Sequence, residues 1–173
     1  MRKTILLVLA LVVTSALAVQ TTAASDKSGK DVLEFDTMTG VVAPFTGAAN
    51  PVRGLGGGGS PWELDRARGR LRSDGRLDIR VKGLVLARRA PVPANLQGTN
   101  PITQFRAIVS CLTPAAAGAT DPVATVNVPT ALVPASSDGD ARIDTTVDLP
   151  TPCVAPIVFV TSPGNAWFAA TGL

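Results

Sequence analysis

The sequence contains neither histidine nor tyrosine among its 173 residues. Histidine is the commonest general base, the usual member of a nucleophilic triad and the commonest metal ligand, so most enzymatic chemistry loses its usual residues. Lysine is scarce after the N-terminus, at Lys27, Lys30 and Lys82 only. A carboxylate-pair hydrolase is the one enzyme class left open. We therefore expect a protein that is not an enzyme, with no catalytic, cofactor-binding or metal-binding residues and no cofactor.

Long apolar runs are missing except at the N-terminus. Arg2-Lys3 precedes an apolar run from Ile5 to Val13, and Ala16-Leu17-Ala18 follows it. A basic start, an apolar centre and a small-x-small site predict a cleavable signal peptide. The run is too short for a bilayer, which needs about 20 apolar residues. We expect cleavage near Ala18, with Ala24 as a second site, a bacterial protein secreted to the extracellular space or periplasm, and no transmembrane segment in the mature chain.

Net charge is almost absent from the chain that remains. Residues 19–173 hold fourteen basic and thirteen acidic residues, so the net charge is +1. Such a balance does not indicate a nucleic-acid or membrane partner. Trp62 is the one aromatic placed to stack on a base near the basic residues, which argues against single-stranded nucleic acid. Charge and aromatic content therefore do not identify a partner, and no specific nucleic acid is expected.

Helix-compatible stretches are absent too. Fourteen prolines are spread from Pro44 to Pro163, and proline removes a backbone donor and clashes with the preceding helical turn. Short runs rich in Val, Ile, Thr and Leu alternate with Gly, Pro, Ser and Asp clusters. Seven or eight strands at turn spacings of about ten residues predict an all-β, single antiparallel β-sandwich. The expected organisation is a signal peptide (1–18), a flexible leader (19–30) and a β-sandwich domain (31–173).

The clearest strand pair is a hairpin formed by residues 62–71 and 76–86. It turns at Ser73-Asp74-Gly75, and Leu77, Ile79 and Val81 alternate with polar residues as in a half-buried strand. The apolar phase shifts after Gly83, which predicts a bulge there.

Other segments predict further strands and loops. Residues 31–42 read as the first strand, and residues 104–112 as a central strand. Residues 43–61, which include the Gly56–Gly59 run, predict a long flexible loop in which glycine can adopt positive φ. Ser162-Pro163-Gly164-Asn165 predicts a type II turn.

The two cysteines, Cys111 and Cys153, form an even pair in an exported chain. Such a pair predicts a structural disulfide. The alternative is a redox-active pair, which usually needs close C-x-x-C spacing that this chain lacks.

Arginine forms the sharpest pattern. Period-two spacing places each strand's arginines on one face, and hairpin pairing merges the two sets into one basic surface. An anionic surface polymer would fit that surface, whereas the favoured alternative is a solvated face partly neutralised by Glu63, Asp65, Asp74 and Asp78. Arg142 is treated as a charge lying elsewhere. The candidate anion-binding face consists of Arg66, Arg68, Arg70, Arg72, Arg76 and Arg80.

Four aspartates, Asp138, Asp140, Asp144 and Asp148, carry the hydrolase alternative. Glycosidase carboxylates face one another across about 5–10 Å, with one beside an apolar wall. These residues cluster at a turn and along an exposed strand, which favours a solvated face. Asp138-Gly139-Asp140 offers calcium two side chains where six to eight oxygens are needed, so a turn is favoured over a metal site.

The large aromatics Trp62, Trp167 and Phe168 have two interpretations. Exposed, they would be platforms for a sugar; buried, they would be core residues, which is the favoured interpretation.

Several segments resemble a group of small secreted bacterial β-sandwich proteins that are uncharacterised in function. The resemblance covers most of residues 62–172, and the group implies export but no activity. The hairpin ending in Gly83-Leu84 is also faintly similar to the CHRD domain, an extracellular β module, but lacks that domain's His-rich stretch. The segments are Gly69-Arg70-Leu71 with Asp74-Gly75-Arg76-Leu77, Gly83-Leu84-Val85-Leu86, Ser110-Cys111-Leu112, and Leu149 through Ser162 with Trp167-Phe168-Ala169.

The sequence thus favours a secreted, non-enzymatic extracellular or cell-surface interaction module of unknown ligand. The alternative is a small carbohydrate-active hydrolase using aspartates.

Overall fold

The computed structural model describes residues 29–172, and within that range the regular structure is β-strand without helix. The predicted signal peptide and all but the end of the predicted leader lie outside the described residues. The twelve strands are β1 Asp31–Phe35, β2 Thr39–Gly40, β3 Trp62–Glu63, β4 Arg66–Arg72, β5 Arg76–Lys82, β6 Val85–Leu86, β7 Gln104–Pro114, β8 Val123–Pro129, β9 Val133–Pro134, β10 Ala141–Thr146, β11 Val154–Thr161 and β12 Trp167–Ala170.

The strands form two main antiparallel sheets that share one hydrophobic core. One sheet has the order β1-β4-β5-β10, and the other has the order β2-β12-β11-β7-β8 with β9 beside β7. A two-stranded sheet, β3-β6, completes the fold. Buried side chains of both main sheets, such as Ile79 and Val109, belong to a single cluster. The predicted all-β sandwich is confirmed; seven or eight strands were expected, and the additional ones are two-residue strands too short for a sequence pattern to show.

The hairpin of β4 and β5 forms as predicted because its alternation buries one face. Leu71, Leu77, Ile79 and Val81 are at most 1% exposed and pack into the core. Gly75 closes the turn with φ of 83°, and an added Cβ there would collide with the carbonyl oxygen of Val147. The strand pattern breaks at Gly83, where φ is 66°, in agreement with the phase shift in the sequence.

The predicted first strand, residues 31–42, is wrong as a single element. Its first half is β1, at the edge of the four-stranded sheet, and its second half contains β2, at the edge of the six-stranded sheet. The chain crosses between the sheets around Met38, whose side chain is buried. Burial of Met38 in the shared core interrupts a run that looks continuous in sequence.

The predicted loop at residues 43–61 lies between β2 and β3, but its Gly56–Gly59 run is held by backbone hydrogen bonds. Gly58 donates a hydrogen bond to the carbonyl of Trp167 at 2.8 Å, and Trp167 donates to the carbonyl of Gly56 at 3.0 Å. The positive φ expected in this loop occurs at Gly47 and Gly54, but at none of the glycines in the run Gly56–Gly59. An added Cβ at Gly57 would collide with the carbonyl oxygen of Phe45. Close packing, rather than left-handed backbone, therefore requires glycine at position 57.

The remaining local predictions have mixed outcomes. The central strand is confirmed, since β7 lies between β11 and β8. The type II turn at 162–165 is wrong, because positive φ falls on Asn165 rather than on Gly164. The Cys111–Cys153 disulfide is present. It joins β7 to the residue before β11, and these two strands are neighbours in which Val154 pairs with Leu112.

Candidate anion-binding face

The outer face of the four-stranded sheet carries the candidate arginines. Strand alternation directs them away from the core, and the β4–β5 pairing places Arg68 directly opposite Arg80. An open groove of about 800 Å³ lies over this face. The carboxylates that line it are Glu34, Asp36, Asp78 and Asp144, and its arginines are Arg66, Arg68, Arg70, Arg72, Arg76 and Arg80.

At the hairpin-turn end of the groove the arginines are neutralised. Arg70 binds Glu34 at 2.8 Å and Asp31 at 3.4 Å. Arg72 lies 3.5 Å from Asp31, and Arg76 lies 3.0 Å from Asp74 within the turn. Asp31 and Glu34 come from β1, whose pairing with β4 brings them opposite Arg72 and Arg70.

At the other end three arginines are unpaired. Arg66, Arg68 and Arg80 form no ion pair with any described residue, and all three are exposed. Arg66 lies opposite Lys82, so like charges face each other at two successive cross-strand positions. Each such opposition costs up to about 1 kcal/mol. Asp36 also lines the groove and forms no described ion pair, but one carboxylate beside three arginines still leaves this end of the groove net positive.

The sequence predicts that Arg142 lies away from the candidate anion-binding face, and this prediction is wrong. It lies on β10 directly opposite Arg80, at the edge of the same sheet. Two carboxylates hold it, Asp78 at 3.2 Å and Asp144 at 3.1 Å. The period-two pattern of β10 predicts an outward Arg142, but no local pattern tells which sheet β10 joins.

The four aspartates of the hydrolase alternative do not face one another across an apolar cleft. Asp140 accepts hydrogen bonds from Lys82 and from the backbone N–H of Gly83, and Asp144 binds Arg142. Asp138 and Asp148 are exposed. The part of the chain that the structure describes also contains no group of three or more His, Cys, Asp or Glu placed to hold a metal ion.

The aromatic side chains are core residues, as favoured from the sequence. Trp62, Trp167 and Phe168 are each less than 5% exposed. The rings of Trp62 and Phe168 stack with centroids 3.9 Å apart. They present no platform to a sugar.

The lowered pKa of Asp140 makes the stability of the protein depend on pH. The hydrogen bond from Lys82 lowers the pKa of Asp140 below its ordinary value of 3.8; the Gly83 N–H acts in the same direction, and burial opposes both. A lowered folded-state pKa stabilises the protein above the unfolded-state pKa, and this stability is lost as the pH falls through the folded-state pKa. We expect the free energy of unfolding to fall between about pH 5 and pH 2, and to fall less steeply in Asp140→Asn.

Urea unfolding at a series of pH values measures this slope. Asp121→Asn serves as the matched control, since it removes one exposed carboxylate that forms no described ion pair. It should keep the slope of the unaltered protein. Parallel curves for Asp140→Asn and the unaltered protein would show that Asp140 does not contribute.

The fold defines the class of protein as an all-β sandwich closed by one disulfide. No protein-family model, curated protein or solved structure matches this chain. No helix in residues 29–172 is long and apolar enough to cross a membrane. The disulfide is compatible with an extracellular location, because disulfides persist in oxidising compartments.

Proposed function

We propose that this protein is exported and acts, without catalysing a reaction, as an extracellular or cell-surface interaction module that binds an anionic surface polymer. The observation that carries the proposal is the open groove in which Arg66, Arg68 and Arg80 form no ion pair with a carboxylate of residues 29–172. Export is supported by the signal-peptide pattern and by the disulfide.

The charge arrangement favours binding over a merely solvated face. Opposed like charges on adjacent strands are destabilising, and an anion in the groove would offset that cost. Other arginines on the same face form ion pairs with carboxylates, whereas Arg68 and Arg80 form none with the described residues.

The carboxylates support a binding module better than a hydrolase. Asp78 and Asp144 are cross-strand partners, but Arg142 binds both of them. A glycosidase acid usually lies against an apolar wall, whereas both of these side chains are exposed to solvent and contact a guanidinium. No described pair of aspartates has the environment of a glycosidase acid.

Salt-dependent retention on a heparin column tests the proposal. The mature protein should be retained at low salt despite its near-zero net charge. Its affinity for heparin should fall steeply as the salt concentration rises, because counterions are released on binding. The double variant Arg68→Thr/Arg80→Thr should elute at markedly lower salt. Threonine is chosen because it suits a strand.

A matched double variant separates site from net charge. Arg88→Thr/Arg89→Thr removes the same two charges from the loop beside Glu63, away from the groove. It should elute close to the unaltered protein. Elution of all three proteins together would reject the proposal and leave a solvated face.

A further inference from the structure

The groove has two ends of different chemistry, although the sequence shows one continuous arginine pattern. The turn end, with Arg70, Arg72 and Arg76, is neutralised by Asp31, Glu34 and Asp74. The opposite end presents its arginines without a described ion pair. The two ends would therefore contribute unequally to any anion bound in the groove.

The unpaired arginines form a compact triangle. Arg68 and Arg80 are direct cross-strand partners, so their Cα atoms are separated by about one strand spacing, 4.5–5.5 Å. Arg66 lies two residues along the same strand, about 7 Å away on the same face. Three long side chains rising from so small an area can converge on one group of the ligand.

We propose that Arg66, Arg68 and Arg80 form a site for a single tetrahedral oxyanion with three terminal oxygens, the end group of a phosphate or sulfate ester. This inference rests on the proposed function and names the chemical group that the groove recognises. The six-arginine face is then reduced to three binding residues, and Arg70, Arg72 and Arg76 have a structural role in ion pairs.

Oxygen count favours either ester over a carboxylate, and charge favours a phosphate ester in particular. A phosphate or sulfate monoester offers three terminal acceptor oxygens that three guanidinium groups can share, whereas a carboxylate offers two. Guanidinium groups bind phosphate in a planar, two-donor geometry that suits side chains approaching from different directions. Three arginines with Asp36 nearby leave a local excess of two positive charges, which matches a phosphate monoester of −1.5 to −2.

Three sugars that differ only in their anionic group test the class of ligand. Glucose 6-phosphate, glucose 6-sulfate and glucuronate are titrated into the mature protein, with backbone amide shifts on β4 and β5 followed by NMR. We expect either ester to bind at least about tenfold more tightly than glucuronate. If the phosphate ester binds most tightly, its affinity should fall below about pH 6 as the phosphate takes up a proton, and sulfate binding should not change.

Single arginine variants test which residues form the site. Arg66→Thr, Arg68→Thr and Arg80→Thr should each weaken ester binding about tenfold. Arg70→Thr, Arg72→Thr and Arg76→Thr should change it less than about twofold despite removing the same charge. Thermal unfolding of each variant verifies that the sheet is intact, and Arg68→Thr should be no less stable than the unaltered protein, since it removes an opposed like charge.

The outcomes distinguish this inference from the function on which it rests. Equal binding of glucuronate, losses shared evenly by all six arginines, or retention on heparin with no binding of either ester would overturn the three-arginine site while leaving polymer binding intact. Failure to bind heparin as well would reject both. Ester binding lost only in the Arg66, Arg68 and Arg80 variants would support both.

Discussion

Reduction of the disulfide is expected to lower the free energy of unfolding by about 4 kcal/mol. Cys111 and Cys153 are 42 residues apart in sequence, so the bond closes a long loop in the unfolded chain and removes much of its conformational entropy. In the folded protein the bond joins neighbouring strands that pair in any case, so the native state gains little further order from it.

Urea unfolding of the oxidised and the reduced protein measures this effect. The reduced protein keeps both sulfur atoms, so no cavity is created and the difference reports the cross-link alone. The double variant Cys111→Ala/Cys153→Ala should be less stable still, because Cys111 is fully buried and its truncation leaves space in the core. Equal unfolding midpoints for the oxidised and reduced protein would contradict the prediction.

Phe105→Ala is expected to lower the free energy of unfolding by about 3–5 kcal/mol. Phe105 is fully buried on β7, and its ring contacts those of Trp62 on β3 and Phe168 on β12, with centroids 6.5 and 5.9 Å away. Its removal therefore opens a cavity where three elements from distant parts of the chain meet.

Phe45→Ala provides the matched control for this core substitution. Phe45 lies outside the strands, is 37% exposed and contacts Trp167 at 6.5 Å. The same truncation there should cost clearly less, since part of the ring is already in water. Thermal or urea unfolding compares the two variants, and equal losses would show that the aromatic cluster is not a centre of stability.

Much of the fold follows from local patterns. Leu77, Ile79 and Val81 are apolar at every second position, and the structure buries all three. The disulfide follows from an even, isolated pair of cysteines in a chain whose N-terminal sequence predicts export. These features are predictable because each depends on neighbouring residues or on composition alone.

Other features depend on which distant segments meet. The run 31–42 has a strand-like composition throughout, yet Met38 lies in the core and divides it between two sheets. Gly57 and Gly58 read as flexible, yet they pack beneath Phe45, Trp62 and Phe168. Neither outcome can be predicted from the local sequence, because each depends on which distant residues pack against the segment.

The candidate site shows the same division. The sequence by itself determined that the arginines of β4 and β5 face outward together, since alternation and a short turn settle the face of each side chain. Only the tertiary structure decided which of them are neutralised. Asp31 and Glu34 reach Arg70 because β1 pairs with β4, and Asp78 is drawn toward Arg142 because β10 pairs with β5. Alternation assigns a side chain to a face, whereas its charged neighbours across that face come from strands that are far away in sequence.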